Sequence, residues 1–184
     1  MPAWRGRKQL NTGDKGHLDI TAAMVKSLRE KTGAGIMDSK RALEDADGDE
    51  SKAVDFLREK GLASAAKRAG RATSEGVIES YIHSGNRVGA LVQLSSETDF
   101  VARTDEFKEL AKELAMQVAA MNPKYVDRDS VPEDADEVAN EELLMEQAYI
   151  RDPGQTIGDL VKNLAAKTGE NVHVGRFSRF GLGE

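Results

Sequence analysis

The chain of 184 residues is long enough for one domain of ordinary size, or for a small module joined to a second one. It has no cysteine, which excludes disulfide frameworks, thiol nucleophiles and cysteine-ligated metal centres, and its three histidines are far apart in the sequence. The formal charge of −6 at pH 7 argues against nucleic-acid binding by the whole chain, although a local basic patch stays open.

Residues 1–18 are predicted to form a basic, mobile N-terminal extension. They carry four cationic side chains against one aspartate and lack the apolar stretch of a secretory signal peptide. The uncharged run 88–96 reaches only about half of the roughly 18 residues that suggest a membrane span. The chain is therefore expected to be cytoplasmic and to have no membrane partner.

Residues 19–62 are predicted to form a bundle of three short helices. Apolar residues recur at helical spacing in three segments, of which the first begins after Thr21, a potential N-cap. Gly33 follows the first segment, and Gly61 is expected to end the third. Since a bundle of about 40 residues has a small core, it is expected to dock on a partner rather than to catalyse.

Residues 63–76 are predicted to be a basic linker with some helix. Lys67, Arg68 and Arg71 stand here among small residues, and glycines lie at positions 70 and 76. This linker, together with the N-terminal extension, is the only basic patch that could serve a nucleic-acid-binding protein, which is the alternative function that the residues leave open.

Residues 77–184 are predicted to form an α+β core domain with a small antiparallel sheet of about three strands packed on helices. The segments 77–83 and 87–94 are rich in β-forming residues and flank a three-residue turn, which indicates a hairpin. The segment 171–180 suits a third strand.

Two amphipathic helices are predicted in the same domain. The first has apolar residues at spacings of three and four over 107–121 and is expected to be capped by Thr104 or Asp105. The second begins with a capping box of Thr156 and Asp159 and ends before a glycine at position 169.

An acidic connection, 127–146, separates these two helices. It holds nine carboxylates against Arg128, a net charge of −8, which leaves +2 for the rest of the chain. Such runs are usually solvated, so we expect an exposed connection that includes a helix after Pro132, and not a binding site.

No motif for catalysis, cofactor binding or metal binding is found. The Gly-rich turn at 32–35 lacks the spacing of a phosphate-binding loop, and the chain has no GxSxG, HExxH or EF-hand pattern. Scattered carboxylates are the only support for a hydrolase. The chain is therefore expected not to be an enzyme, to need no cofactor or metal, and to bind no nucleotide directly.

Two segments combine residue types that are unusual for their predicted positions. Asp99 and Phe100 stand together where a strand meets a helix, and from the residues alone Phe100 is expected in the core and Asp99 as a helix cap. Ile36 and Met37 follow the Gly-rich turn beside Arg29, and they are likewise expected in the core of the bundle.

Four segments in order resemble the family of bacterial-type elongation factor Ts. They read VKxLRxxTGAGxMD from position 25, AAKRAGR from 65, ETDFVAR from 97 and RFxRF from 176. The resemblance runs over about 20–122 and again over about 143–184.

The resemblance implies a guanine-nucleotide exchange factor that binds elongation factor Tu with GDP and promotes GDP release during translation. It implies a UBA-like N-terminal bundle that docks on the GTPase domain of this partner through Arg29, Ile36 and Met37. It also implies that the segment Thr98, Asp99, Phe100 and Val101 displaces the magnesium ion of the partner.

The sequence departs from the family in three respects. Serines stand at positions 39, 96 and 178, where members often carry cysteine, and the basic, helix-forming segment usual before the last helix is missing between 126 and 143. The chain has room for one copy of the core domain, whereas long members have two. Short members are expected to pair, which predicts a homodimer or an assembly of two copies with two copies of the partner.

Overall fold

The computed structural model describes residues 20–184, so the predicted extension 1–18 lies outside the described residues. These residues cluster into two compact units, with the division between Leu57 and Arg58. The helices and strands run as follows: α1 Ala22–Thr32, α2 Ile36–Asp45, α3 Glu50–Arg68, β1 Glu75–Ile82, β2 Val88–Ser96, α4 Asp99–Ala102, α5 Asp105–Met121, β3 Ala148–Tyr149, β4 Asp152–Thr156, α6 Ile157–Thr168 and β5 Val172–Gly181.

The first unit contains α1, α2 and the beginning of α3. Thr21 caps α1, since its hydroxyl accepts a hydrogen bond from the N–H of Met24 at 3.3 Å, and Gly33 ends the helix at a φ of 70°. The buried apolar residues of this unit are Val25, Leu28, Ala42, Leu43, Ala46 and Ala53. The UBA-like character of this bundle stays a prediction.

The third helix does not end at Gly61, so that prediction was wrong. α3 continues to Arg68 and takes in the first part of the predicted linker. The reason is twofold: four of the five residues 62–66 are leucine or alanine, which are strong helix formers, and the lack of a side chain at Gly61 allows α3 to approach Ala166 of α6 closely. A Cβ at Gly61 would lie 3.0 Å from the Cβ of Ala166.

The second unit is built on the predicted three-stranded sheet, which confirms the α+β class. Its strand order is β1-β2-β5 and both pairings are antiparallel. The inner face of the sheet, with Ala90, Val92 and Leu94 of β2, packs against α4, α5 and α6. Alternation along β2 places Leu91 on the opposite face, which is exposed.

The two amphipathic helices form with the predicted local signals. Thr104 caps α5 by accepting a hydrogen bond from the N–H of Phe107 at 3.3 Å. The capping box of Thr156 and Asp159 begins α6, and hydrogen bonds from the N–H and hydroxyl of Thr156 hold the pKa of Asp159 below its usual range.

The acidic connection differs from its prediction. The helix expected after Pro132 is absent from residues 127–146, which instead contain three short 3-10 turns. Leu143 and Leu144 are fully buried, so this stretch is not solvated throughout. The β3–β4 hairpin that follows was not predicted. No helix among residues 20–184 combines the length and the apolar character needed to cross a membrane.

Candidate functional site

Phe100 lies on the surface of the second unit, on the four-residue helix α4. Its side chain is 83% exposed, which overturns the expectation that it belongs to the core. The core position is taken by Ala102, which is buried, while Val101 is partly buried against the same cluster. Because these neighbours anchor α4 on its inner side, the aromatic ring of Phe100 points to solvent.

Asp99 is the first residue of α4 rather than its N-cap, which is Thr98. Its carboxylate forms an ion pair with Arg103 at 2.9 Å, one turn later on the same surface. A negative charge in the first turn also interacts favourably with the helix dipole. The surface at α4 therefore offers an aromatic ring beside a carboxylate that is neutralised by one guanidinium.

Thr98 connects α4 to a distant part of the chain. Its N–H and its hydroxyl donate hydrogen bonds to the two carboxylate oxygens of Glu170, at 3.0 and 2.6 Å. Glu170 was not among the predicted site residues. Local spacing contains no signal for it, because it lies 72 residues away and reaches Thr98 only through the pairing of β2 with β5.

The three predicted docking residues lie together in the first unit. Ile36 and Met37 form the first turn of α2 and are 59% and 69% exposed, so the expectation that they are core residues was wrong. Arg29 reaches the connection just before α2, where its Nε donates to the carbonyl of Ala34 at 3.4 Å.

A groove of about 530 Å³ opens beside these residues. It is lined by Ile20, Ala22, Val25, Lys26, Arg29, Ile36 and Lys40. The apolar lining with basic side chains around it suits a protein surface that presents apolar and acidic side chains together.

Comparison with known proteins identifies the family of the chain. The family model described as Elongation factor TS matches residues 53–143. A protein named Elongation factor Ts from Oleidesulfovibrio alaskensis is 51% identical over 194 aligned positions, which cover 89% of this chain and 98% of that one. The chain belongs to the elongation factor Ts family.

Two other relatives extend this result. The Elongation factor Ts of Carboxydothermus hydrogenoformans is 48% identical over 195 positions, covering 90% of each chain. That of Thermotoga neapolitana is 46% identical over 195 positions, covering 91% of this chain and 99% of the relative. The resemblance to elongation factor Ts seen in the four motifs is thereby confirmed. Since the aligned length exceeds the 184 residues of this chain, these relatives hold residues that have no counterpart here.

The basic residues of the predicted linker are largely engaged in contacts within this elongation factor Ts fold. Arg68 donates through Nη2 to the carbonyl of Ala165 at 3.4 Å, and Arg71 pairs with Glu97 at 3.4 Å. Two of the three basic residues of the segment, Arg68 and Arg71, thus contact the fold itself.

Among residues 20–184, no group of three or more histidines and carboxylates is placed to hold a metal ion. The one strongly shifted group in this part of the chain is Tyr149, whose pKa is raised to about 12 by burial and then by its hydrogen bond to Glu113. Tyr149 belongs to the β3–β4 hairpin and not to α4 or the groove, so its shift reflects packing.

Proposed function

We propose that this protein is a guanine-nucleotide exchange factor that binds elongation factor Tu with GDP and promotes the release of GDP. The observation that carries the proposal is the exposure of Phe100 on a helix whose other side is packed into the core. An aromatic side chain held outside in this way has no role in the stability of its own fold, and it is suited to enter another protein.

The proposed mechanism acts on the magnesium ion of the partner. In a GTPase this ion bridges the protein and the nucleotide phosphates and neutralises their charge. Phe100 would supply the volume that separates the elements holding the ion, and Asp99 would orient the ring or compete for polar groups nearby. Thr98 and Val101 would hold these two residues in place.

The groove of the first unit would supply binding energy away from the nucleotide. Ile36 and Met37 would bury apolar surface on the GTPase domain, and Arg29 would contribute a positive charge at the edge. In this proposal the protein carries out no bond chemistry and has no nucleotide pocket of its own. Acting on elongation factor Tu, it would work in the cytoplasm.

Release of fluorescent GDP from elongation factor Tu, with and without this protein, tests the proposal. We expect Phe100→Ala and Asp99→Ala each to slow the stimulated release by at least about tenfold, the scale of 1.4 kcal/mol in a barrier. Met121→Ala removes another exposed apolar side chain and should have no effect. Normal rates with both α4 variants would refute the assigned mechanism, and salt-dependent RNA binding without any effect on the GTPase would favour a nucleic-acid-binding protein.

Affinities provide a second test. Because exchange couples two ligands, the factor must weaken GDP binding by the same ratio by which GDP weakens binding of the factor. Because such a thermodynamic cycle closes for any two ligands, the test lies in the ratio itself, and a GDP dissociation constant that the factor leaves unchanged would contradict the proposal.

We also propose that two copies pair through the outer face of the sheet. Ile78, Ile82 and Leu91 are exposed there, and Phe180 stands beside a groove of about 490 Å³ that opens over Gly89. In a twofold interface the same face of each copy packs against the other, so the exposed ring of one copy could enter the groove of the second. Sedimentation of the wild type should show a dimer that Phe180→Asp dissociates, and a wild-type monomer at all concentrations would overturn this.

A further inference from the structure

Two glutamates extend the pairing of β2 with β5 beyond the last backbone pair. The ladder ends at Ser96 opposite Val172, so residues 97 and 98 stand opposite 171 and 170. The N–H of Asn171 donates to Glu97 at 2.7 Å, and the N–H of Thr98 donates to Glu170 at 3.0 Å. Each carboxylate takes the place of a strand carbonyl on the opposite side.

We call this arrangement the glutamate clasp, defined as Glu97 and Glu170 with the N–H groups of Asn171 and Thr98. Further contacts tie it to the segment that follows α3: Arg71 pairs with Glu97, and the side-chain amide of Asn171 donates to the carbonyls of Ala69 and Arg71 at 3.0 and 2.8 Å. Hydrogen bonds that involve a carboxylate are stronger than those between neutral groups.

The clasp determines how α4 begins. Thr98 occupies the N-cap position, yet its hydroxyl does not cap the helix and donates instead to Glu170 at 2.6 Å. A helix of four residues is not stable by itself, because nucleation is costly and few backbone bonds follow. The start of α4 is therefore held by a side chain from the turn between α6 and β5.

We propose that Glu170 is a positioning residue for nucleotide exchange, acting through Thr98 to fix the direction in which Phe100 leaves the surface. The inference rests on the proposed function. If α4 were free to move, binding to the partner would cost the entropy of fixing it. Less binding free energy would then remain for separating the elements around the magnesium ion, so α4 must be fixed before binding. Glu170 itself need not touch the partner.

The expected signature is a loss of rate without a loss of affinity. In GDP-release assays with elongation factor Tu, Glu170→Gln should lower the release rate at saturating factor by about tenfold, the effect of losing one hydrogen bond to a charged group. The factor concentration at half-saturation should change by less than about threefold, because the proposed docking residues are untouched. A variant that merely lost part of its folded population would show the reverse, a normal rate at saturation.

Thr98→Val supplies an independent variant, since it removes the hydroxyl contact and keeps the branched shape. It should reproduce the loss of rate, and the double variant should be no slower than the slower single one, because both remove the same contact. Glu137→Gln removes the same charge from an exposed site and is the matched control. Normal maximal release rates in both single variants, or independent effects in the double variant, would overturn the proposal. If Glu170→Gln does not fold, the maximal release rate of Thr98→Val tests the proposal by itself.

Hydrogen exchange on the isolated protein separates this inference from the proposed function. In Glu170→Gln the main-chain N–H groups of Ala102 and Arg103, which donate to the carbonyls of Thr98 and Asp99, should exchange about tenfold faster than in the wild type, while those of α5 stay unchanged. Unchanged exchange at α4 would overturn the clasp whatever the assays show. If the wild type does not stimulate GDP release but α4 loosens as described, the exchange function fails and the holding role of Glu170 stands.

Discussion

Gly61 of α3 faces Ala166 of α6 at a distance where an added methyl group would force the two helices apart by a few tenths of an ångström. A Cβ at Gly61 would lie 3.0 Å from the Cβ of Ala166 and 3.7 Å from its main chain. The neighbouring atoms belong to a helix and not to the far end of a flexible side chain, so they cannot move aside easily. The glycine that was expected to end α3 thus serves the packing of two helices.

Gly61→Ala should lower the free energy of unfolding by about 1 to 2 kcal/mol through overpacking. At an exposed helical position the same change would raise it by about 1 kcal/mol. Urea unfolding measures the difference. In the variant that also carries Ala166→Gly, the losses of stability from the two substitutions should be less than additive, because the second substitution removes the methyl group that clashes with the new Cβ at position 61. A gain in stability from Gly61→Ala alone would contradict this packing.

The groove of the first unit and the helix α4 should affect exchange in different ways. Met37→Ala and Ile36→Ala together should raise the factor concentration at half-saturation by about tenfold, because about 1.4 kcal/mol of apolar burial on the partner is lost. The release rate at saturation should stay near that of the wild type, in contrast to Phe100→Ala. Phe56→Ala, an exposed apolar residue of the same unit outside the groove, is the control.

The β3–β4 hairpin should depend on one buried amide. Gln117 of α5 donates to the side chain of Gln147 at 3.0 Å and to the carbonyl of Ala148 at 3.1 Å, and it accepts from the N–H of Ile150 at 3.1 Å. Gln117→Leu should cost about 1 to 3 kcal/mol of stability, since it removes three hydrogen bonds and leaves the buried side-chain oxygen of Gln147 without this donor. Limited proteolysis should then cut within 148–156 first, and resistance equal to the wild type would contradict this role.

The successes and failures of the sequence predictions follow from the range of the interactions involved. The caps at Thr104 and Thr156 were found because a cap is decided within four residues. The exposure of Phe100 was missed because it depends on which neighbours fill the core, and an aromatic residue beside Val101 is by composition a core candidate.

Longer-range contacts left no local signal at all. Gly61 looks like a helix terminator until α6 is placed against it, and Glu170 looks like any glutamate after a helix until β5 pairs with β2. Leu143 and Leu144 are buried within a strongly acidic stretch. The prediction used the net charge of the stretch and therefore did not consider these two apolar residues. For the candidate site, the order of the motifs indicated which segments to consider, and only the structure showed which of their side chains are exposed.

Tyr149 makes stability depend on pH in the alkaline range. Its hydroxyl donates to the buried carboxylate of Glu113 at 2.5 Å, and Arg151 pairs with the same carboxylate at 2.8 Å. Burial and this hydrogen bond raise the pKa of Tyr149 to about 12, whereas in the unfolded chain it is near 10. The stabilisation is therefore complete below pH 10 and is lost as the pH rises towards 12, because the unfolded state releases the phenolic proton first.

Tyr149→Phe should reduce the free energy of unfolding by about 1 kcal/mol at pH 8, the usual contribution of one such hydrogen bond. Urea unfolding of the wild type and of Tyr149→Phe from pH 8 to 12 isolates the contribution of this tyrosine, because the lysines and the remaining tyrosines titrate in both proteins. The difference between them should shrink above pH 10 as the wild type loses the advantage of its neutral phenol. A difference that grew with pH would mean that the folded protein favours the phenolate, which the carboxylate of Glu113 beside it opposes.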